Sequence, residues 1–332
     1  MVAYASIMTR RDFLARTAAA GSIAALTPFR GLASGRQPAS NATGMFVSLN
    51  GALTSGKNIG WPEFARLAAR VGYGGVDWSL GPAQAAGVEP TKALFAELKI
   101  KPTITNLPMA RPFPFAGEQA LFQDALVKLA DDAAFSAAIG CRKMMVVLPP
   151  TGPQPKDEYR KVVRDRIAAV SEVLQKSNVR LGLEFLGVQQ FRAGREGAPP
   201  PNPFIWTLPE TVALANDCGA NIGVILDVWH WHHSGGTTAD ITATQASRIV
   251  HVHISDAKPM APEAVRDNMR VMPGEGSIDL VGFLHALKLI GYADGISPEP
   301  LGRVPAEMTA EDAAKLGLDT TLAVMRKAGV AA

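Results

Sequence analysis

The sequence predicts a single-domain α/β fold, a closed parallel (β/α)8 barrel. Three observations predict it. Past residue 44, eight short β-rich runs alternate with longer helical patterns. The alternation spans roughly 250–300 residues, the length such a barrel needs. The first run leads into Leu49-Asn50-Gly51-Ala52-Leu53. A doubly wound open sheet, the competing architecture, would carry a glycine-rich phosphate turn there.

The β-rich runs are 45–50, 75–80, 103–107, 143–148, 181–186, 223–229, 249–255 and 296–299. Helical patterns lie near 61–72, 90–99, 118–139, 157–177, 208–218, 238–247, 279–291 and 309–328. Helix starts are marked at Trp61-Pro62-Glu63, Glu89-Pro90 and Leu208-Pro209-Glu210, where proline and an acid suit the first turn. No further domain or sequence repeat is evident, so the barrel is expected over 44–330. The chain has 332 residues, 47% of them hydrophobic, enough for a large core. No apolar run is long and pure enough for an internal membrane span.

The N-terminus has a different character. Thr9-Arg10-Arg11-Asp12-Phe13-Leu14 precedes an alanine-rich stretch from Thr17 to Leu26, then Pro28 and a small-residue polar segment. This order resembles a twin-arginine export signal, with residues 1–36 as signal and linker. The expected partner is then the twin-arginine translocation machinery, and the expected location is periplasmic or otherwise exported. Ala33 is a candidate cleavage position. The segment lacks cysteine, so no lipid anchor is expected. Residues 1–36 carry five arginines against Asp12, a net of +4; the whole chain is +3, which leaves −1 for the remainder. The basic balance belongs to the leader and gives no reason to expect nucleic acid. The two cysteines, Cys141 and Cys218, read as buried free thiols, although an oxidising compartment would permit a disulfide.

Barrel chemistry sits at the C-terminal ends of the strands. There the fifth run places Glu184 inside Leu181-Gly182-Leu183-Glu184-Phe185-Leu186, and the sixth closes Val224-Ile225-Leu226 with Asp227. The seventh alternates His251 and His253 with Val250, Val252 and Ile254, and the eighth ends at Ser297-Pro298-Glu299-Pro300. Buried carboxylates are costly unless paired or bound to a cation. Each residue alone has an ordinary alternative. Glu184 or Glu299 can pair with an interior arginine, Asp227 can cap a turn, and a lone His253 is more often a core histidine. Four such residues on four successive strand ends point instead to one divalent ion. Three oxygens and one imidazole suit Mn²⁺ first, with Mg²⁺, Co²⁺ or Zn²⁺ as alternatives.

Five segments together give residues 44–302 a resemblance to the xylose isomerase-like TIM-barrel superfamily, in its sugar phosphate isomerase/epimerase branch. They are Gly182–Phe185, Leu226–His230, His251–Asp256, Pro273–Asp279 and Pro298–Pro300. The resemblance implies that Glu184, Asp227, His253 and Glu299 bind metal, and that His230 is an active-site histidine. His251 should face the interior one layer below His253, either supporting the metal ligands or packing in the core. Many epimerases of this group carry an arginine shortly after the seventh-strand histidine. Here the stretch is Asp256-Ala257-Lys258-Pro259 with a longer loop to Arg270, so Lys258 or Arg270 is expected to replace it against substrate. Loops 187–206 and 256–276 are expected to form a lid. The first offers Phe191, Arg192, Arg195, Phe204 and Trp206 to a sugar, or uses Phe204 and Trp206 as anchors. The Pro273–Gly276 turn is expected at the pocket rim.

The expected chemistry is proton transfer next to a carbonyl on an unphosphorylated sugar, keto-sugar or inosose. Glu184 and Glu299 flank the substrate and exchange the proton. Departure of a β-oxygen from the same enediolate would make the enzyme a dehydratase or lyase on a keto-sugar or 3-keto-glycoside. A metal-dependent endonuclease of this fold would need a histidine-rich multi-metal cluster and a basic groove, which six histidines and a net charge of −1 do not supply. A non-catalytic sugar-binding protein would not require carboxylates clustered on a metal.

Overall fold

Runs of Val, Ile and Leu bounded by glycine, proline or polar residues form the barrel wall. The computed structural model describes residues 44–193 and 201–331, all within one compact unit. The expected leader, residues 1–36, and Arg195 lie outside the described residues. The strands are β1 (Phe46–Leu49), β2 (Gly75–Asp77), β3 (Lys101–Asn106), β4 (Lys143–Val147), β5 (Arg180–Glu184), β6 (Ile222–Asp227), β7 (Ile249–Ile254) and β8 (Gly295–Pro298). They pair in parallel, each with its neighbour in the chain, and β8 closes on β1. The expected barrel is therefore the observed one. A two-stranded antiparallel ribbon, Thr151–Gly152 with Asn202–Pro203, stands outside it.

Helices cover the outside, so β6 and β7 are buried at every position, as strands enclosed on both faces must be. The helix Gln119–Ala138 turns Phe122, Leu126, Leu129 and Ala133 inward at helical spacing. Among the described residues no helix is long and apolar enough to cross a membrane. Cys141 and Cys218 are buried and free.

Two local departures bear on function. The run 223–229 stops as a strand at Asp227, whose Oδ1 accepts a 2.8 Å hydrogen bond from the Trp229 amide. That cap starts a short helix, Val228–His233, which buries His230 instead of leaving it in an exposed loop. A helix not foreseen, Leu80–Ala86, follows β2 directly. The barrel also contains two register shifts, one between Val76 and Asp77 against β3 and one between Val224 and Ile225 against β7. Such bulges re-aim the side chains beyond them, and each lies just before an interior acid, Asp77 and Asp227.

The loop after β7 is held by one buried carboxylate. Asp256 accepts from the amides of Ala257 (2.8 Å), Gly274 (3.1 Å), Gly276 (2.9 Å) and Ile278 (2.9 Å). At Gly276 a Cβ would stand 2.3 Å from Asp256 Oδ1, so only glycine allows this approach. Asp256→Ala leaves four amides without their charged acceptor. It should lower stability by about 2–4 kcal/mol in urea denaturation; a loss below about 1 kcal/mol would show that the loop does not depend on this strut.

Candidate metal centre

Parallel pairing carries the ends of β5 to β8 around one side of the barrel mouth. Asp227 and His253 are register partners on β6 and β7. Glu184 ends β5, and Glu299 follows β8, its amide bonded to the Ile254 carbonyl at 2.9 Å. One donor atom from each of Glu184, Asp227, His253 and Glu299 lies within 4.8 Å of the others. Asp227 and His253 are fully buried, and Glu184 is 5% exposed.

The quartet is braced by counter-charges. His253 Nδ1 lies 3.0 Å from Glu184 Oε1 and 3.4 Å from Glu299 Oε2. Burial opposes a charge on His253, but Glu299 and Glu184 outweigh it and hold the imidazole well above its ordinary range. Burial pushes Glu184 up to about 7, despite the pull of His253. Glu299 is drawn down to about 2, because His253 and Arg270 overcome the cost of its burial. His253 is therefore the positive member of the quartet, facing Glu184 and Glu299. A divalent cation fits the same place, because three hard oxygens and one imidazole converge there.

Arg270 enters from the loop after β7. Its Nη1 donates to Asp227 Oδ2 (2.7 Å) and Glu299 Oε2 (3.0 Å), and its Nη2 donates to Asp267 Oδ1 (2.8 Å). The guanidinium lies 5.5 Å from the Trp229 ring centroid. Burial notwithstanding, Asp227, Glu299 and Asp267 keep it firmly charged. His230 Nε2 is 3.3 Å from Arg270 Nη2. Arginine can only donate, so Nε2 accepts and the His230 proton sits on Nδ1. Burial, joined by Arg270, lowers the His230 pKa and keeps the ring neutral.

Below this level lies a second polar layer. Asp77 accepts from Ser48 Oγ (2.8 Å), Ser297 Oγ (3.0 Å) and Asn50 Nδ2 (3.0 Å). His251 Nε2 lies 2.7 Å from Ser297 Oγ, and burial holds its pKa well below the usual value. His251 is thus a neutral interior histidine tied to Asp77 through Ser297. Asp77, His251 and His253 also bring donor atoms within 4.8 Å of one another, but both Asp77 oxygens are already engaged by hydroxyl and amide donors.

A cavity of about 470 Å³ opens above the quartet, lined by Glu184, Glu299, His230, Arg270 and Asp267 on one side. Asn50, Asp77, Trp78, Asn106 and Arg111 line the other. Of the two cations considered after β7, the structure brings Arg270 to the cavity and not Lys258. Lys258 is exposed and donates outward to the Glu275 carbonyl. Trp206 also stays outside. The Arg192 guanidinium lies 4.7 Å from its ring centroid and Lys156 Nζ 5.9 Å, while Phe204 anchors the same loop against Tyr159 at 4.7 Å. The Pro273–Gly276 turn is a clamp on Asp256 and does not line the rim. Asp77, Asn50 and Asp267 were not singled out in the sequence. Asp77 carried the available signal, an acid breaking an apolar run as Asp227 does.

Arg270→Met removes the only guanidinium in contact with Asp227 and Glu299 among the described residues. It should destabilise the metal-free protein by about 3–5 kcal/mol, the cost of breaking a buried ion pair from one side. Denaturant titration in chelator checks this; an unchanged midpoint would mean that the acids are balanced by other means.

A family model described as xylose isomerase-like TIM barrel matches residues 55–324. The inosose isomerase of Bacillus subtilis (strain 168) is 29% identical over 173 residues, which cover 52% of this chain and 58% of that protein. A xylose isomerase domain protein from Alicyclobacillus acidocaldarius superposes with a TM-score of 0.75 at 27% identity, covering 86% of this chain and 99% of that one. A structure described as IolI protein with a binding zinc atom gives a TM-score of 0.72 at 24% identity, over 85% and 99% of the two chains. The matched span, from the segment after β1 through β8 and into the last helix, contains the whole quartet, and the chain belongs to the xylose isomerase-like TIM barrel family.

Proposed function

We propose that the protein is a divalent-metal-dependent isomerase or epimerase that moves a proton next to a carbonyl of an unphosphorylated sugar, keto-sugar or inosose. The observation that carries this reading is a division within the quartet. Glu184 and Glu299 line the cavity, whereas Asp227 and His253 do not. Two of the four groups can therefore touch substrate, and the other two serve as ligands alone. The similarity to an inosose isomerase supports a polyol-like substrate, and the zinc named in a structural neighbour supports a divalent ion. Manganese is our first choice for a set with three oxygen donors.

A divalent ion held by the quartet supplies Lewis-acid polarisation of the substrate carbonyl. Glu184 and Glu299 approach the cavity from β5 and β8, on either side of the strands that carry Asp227 and His253. One carboxylate takes the proton from carbon and the other returns one. Arg270 presents a fixed, charged donor to a substrate oxygen. His230, neutral and seated against Arg270 and Phe191, orients a hydroxyl. Loss of a β-oxygen after the first proton transfer would turn the same machinery to elimination, which the product distinguishes.

Protein purified without chelator should contain about one equivalent of divalent metal, as a single four-donor site implies. With free ketoses, inososes and 3-keto-glycosides in D₂O, NMR should show exchange of the proton next to the carbonyl. Glu184→Gln and Glu299→Gln should each slow that exchange by about 10²-fold or more, while His253→Ala fails first in metal uptake. Near wild-type exchange in both glutamine variants would overturn the two-carboxylate mechanism.

We also propose export through the twin-arginine pathway, on the Arg10-Arg11 segment. Removal of residues 1–36 should leave the melting temperature and the exchange rate unchanged and retain the protein in the cytoplasm on fractionation. An insoluble product would mean that the segment is structural.

A further inference from the structure

A second chamber of about 550 Å³ adjoins the metal-side cavity, and its chemistry is of the opposite kind. The two share Asn106, Arg111, Met145, Val147, Leu186 and Phe191 in their walls, so they lie side by side. Beyond that junction the lining turns apolar, with Leu107, Met109, Phe113, Phe115 and Tyr159. The walls are set from behind. Arg166 donates to the carbonyls of Ala116 and Gly117, Phe113 lies 6.2 Å from Phe122, and Tyr159 is buried against Phe204.

We propose that this chamber is a subsite for an apolar, ring-sized substituent carried by the substrate itself, such as the aromatic aglycone of a keto-glycoside. The inference rests on the sugar-like head group assigned above. The metal-side cavity, at about 470 Å³, is large enough for a single sugar ring. The chamber is therefore not needed for the head group. Apolar surface that opens onto a catalytic cavity is favoured when a ligand removes it from water. Phe191 and Met145 border both spaces, so the chamber lies directly beside a molecule seated on the quartet. One substrate with a polar head and an apolar tail matches both linings at once.

The test compares 4-fluorophenyl 3-keto-β-D-glucopyranoside with its methyl counterpart on the metal-loaded protein, by isothermal titration. The aryl compound should bind at least about tenfold more tightly, a difference of about 1.4 kcal/mol. Met109→Asp and Ala116→Trp alter the chamber at two partly exposed wall positions. Each should reduce the aryl advantage to below about twofold and leave the methyl compound's affinity unchanged. Equal or undetectable binding of the two compounds to wild type overturns the proposal, and so does an aryl advantage that survives both variants. Proton exchange in D₂O separates this from the proposed reaction. An aryl preference without exchange in either compound keeps the chamber and removes the reaction; exchange with equal affinities does the reverse.

Discussion

Three carboxylates drawn to one point at the mouth of a closed barrel set the terms for the rest of this structure. Like charges this close repel strongly where water is scarce. The fold tolerates them only because positive groups arrive at the same place. His253 comes from within the barrel wall, 3.0 Å from Glu184. Arg270 comes from outside it and spans Asp227, Glu299 and Asp267. A guanidinium has to be delivered in a fixed orientation to make three such contacts. The loop that brings it therefore cannot be loose. Asp256 supplies that rigidity by gathering four amides onto one carboxylate, and the glycines at 274 and 276 allow the approach. The acids on β5, β6 and β8 thus dictate the conformation of a segment far from them in sequence.

The same constraint reaches downward. Barrel interiors are ordinarily filled with layers of branched apolar side chains. Here the layer under the quartet contains Ser48, Asp77, Thr103, His251 and Ser297, all joined by hydrogen bonds except the ring contact between His251 and His253. Because His253 turns Nδ1 to the acids, its other nitrogen points away from them and has no partner among the described residues. Asp77 places a negative charge on that side, which favours a proton on Nε2. The bulge before Asp77 and the bulge before Asp227 place these two acids in their layers.

Most of the barrel was legible because its signal is repetitive: eight alternations leave little freedom in topology. The quartet was legible for a related reason. An acid inside an apolar strand stands out, and equal placement on consecutive strands makes convergence a matter of geometry. What escaped depended on contacts between distant segments. Val228–His233 reads as continued strand, Val-Trp-His-Trp-His-His, and becomes helix only because Asp227 caps it. Leu80–Ala86 contains glycine, proline and alanines and shows no apolar periodicity. Lys258 stands closer in sequence to His253 than Arg270 does, yet the clamp on Asp256 turns Lys258 to the surface and carries Arg270 inward. Trp206 had the composition of a sugar platform, but Arg192 lies over its ring. Sequence proximity and residue type were poor guides wherever a loop decided the outcome.

The cavity divides along the barrel into two unlike halves. Residues on and after β5 to β8 provide Glu184, His230, Asp267, Arg270 and Glu299, an interlocked set in which Arg270 ties Asp267, Glu299 and His230 together. Residues on and after β1 to β4 provide Asn50, Trp78, Thr105, Asn106, Arg111 and Met145, and the apolar chamber lies mainly on this side, with Leu186 and Phe191 after β5 completing its wall. Its single acid, Asp77, is already satisfied by Ser48, Asn50 and Ser297. The two halves therefore bear different costs of change. A substitution among the charged residues unbalances a buried network, with penalties of several kcal/mol. A substitution in the β1–β4 loops alters shape and polarity without disturbing that balance. On the proposed reading, reaction chemistry is consequently tied to the second half of the barrel. Substrate selection is free to vary in the first, where the polar cavity meets its apolar annex.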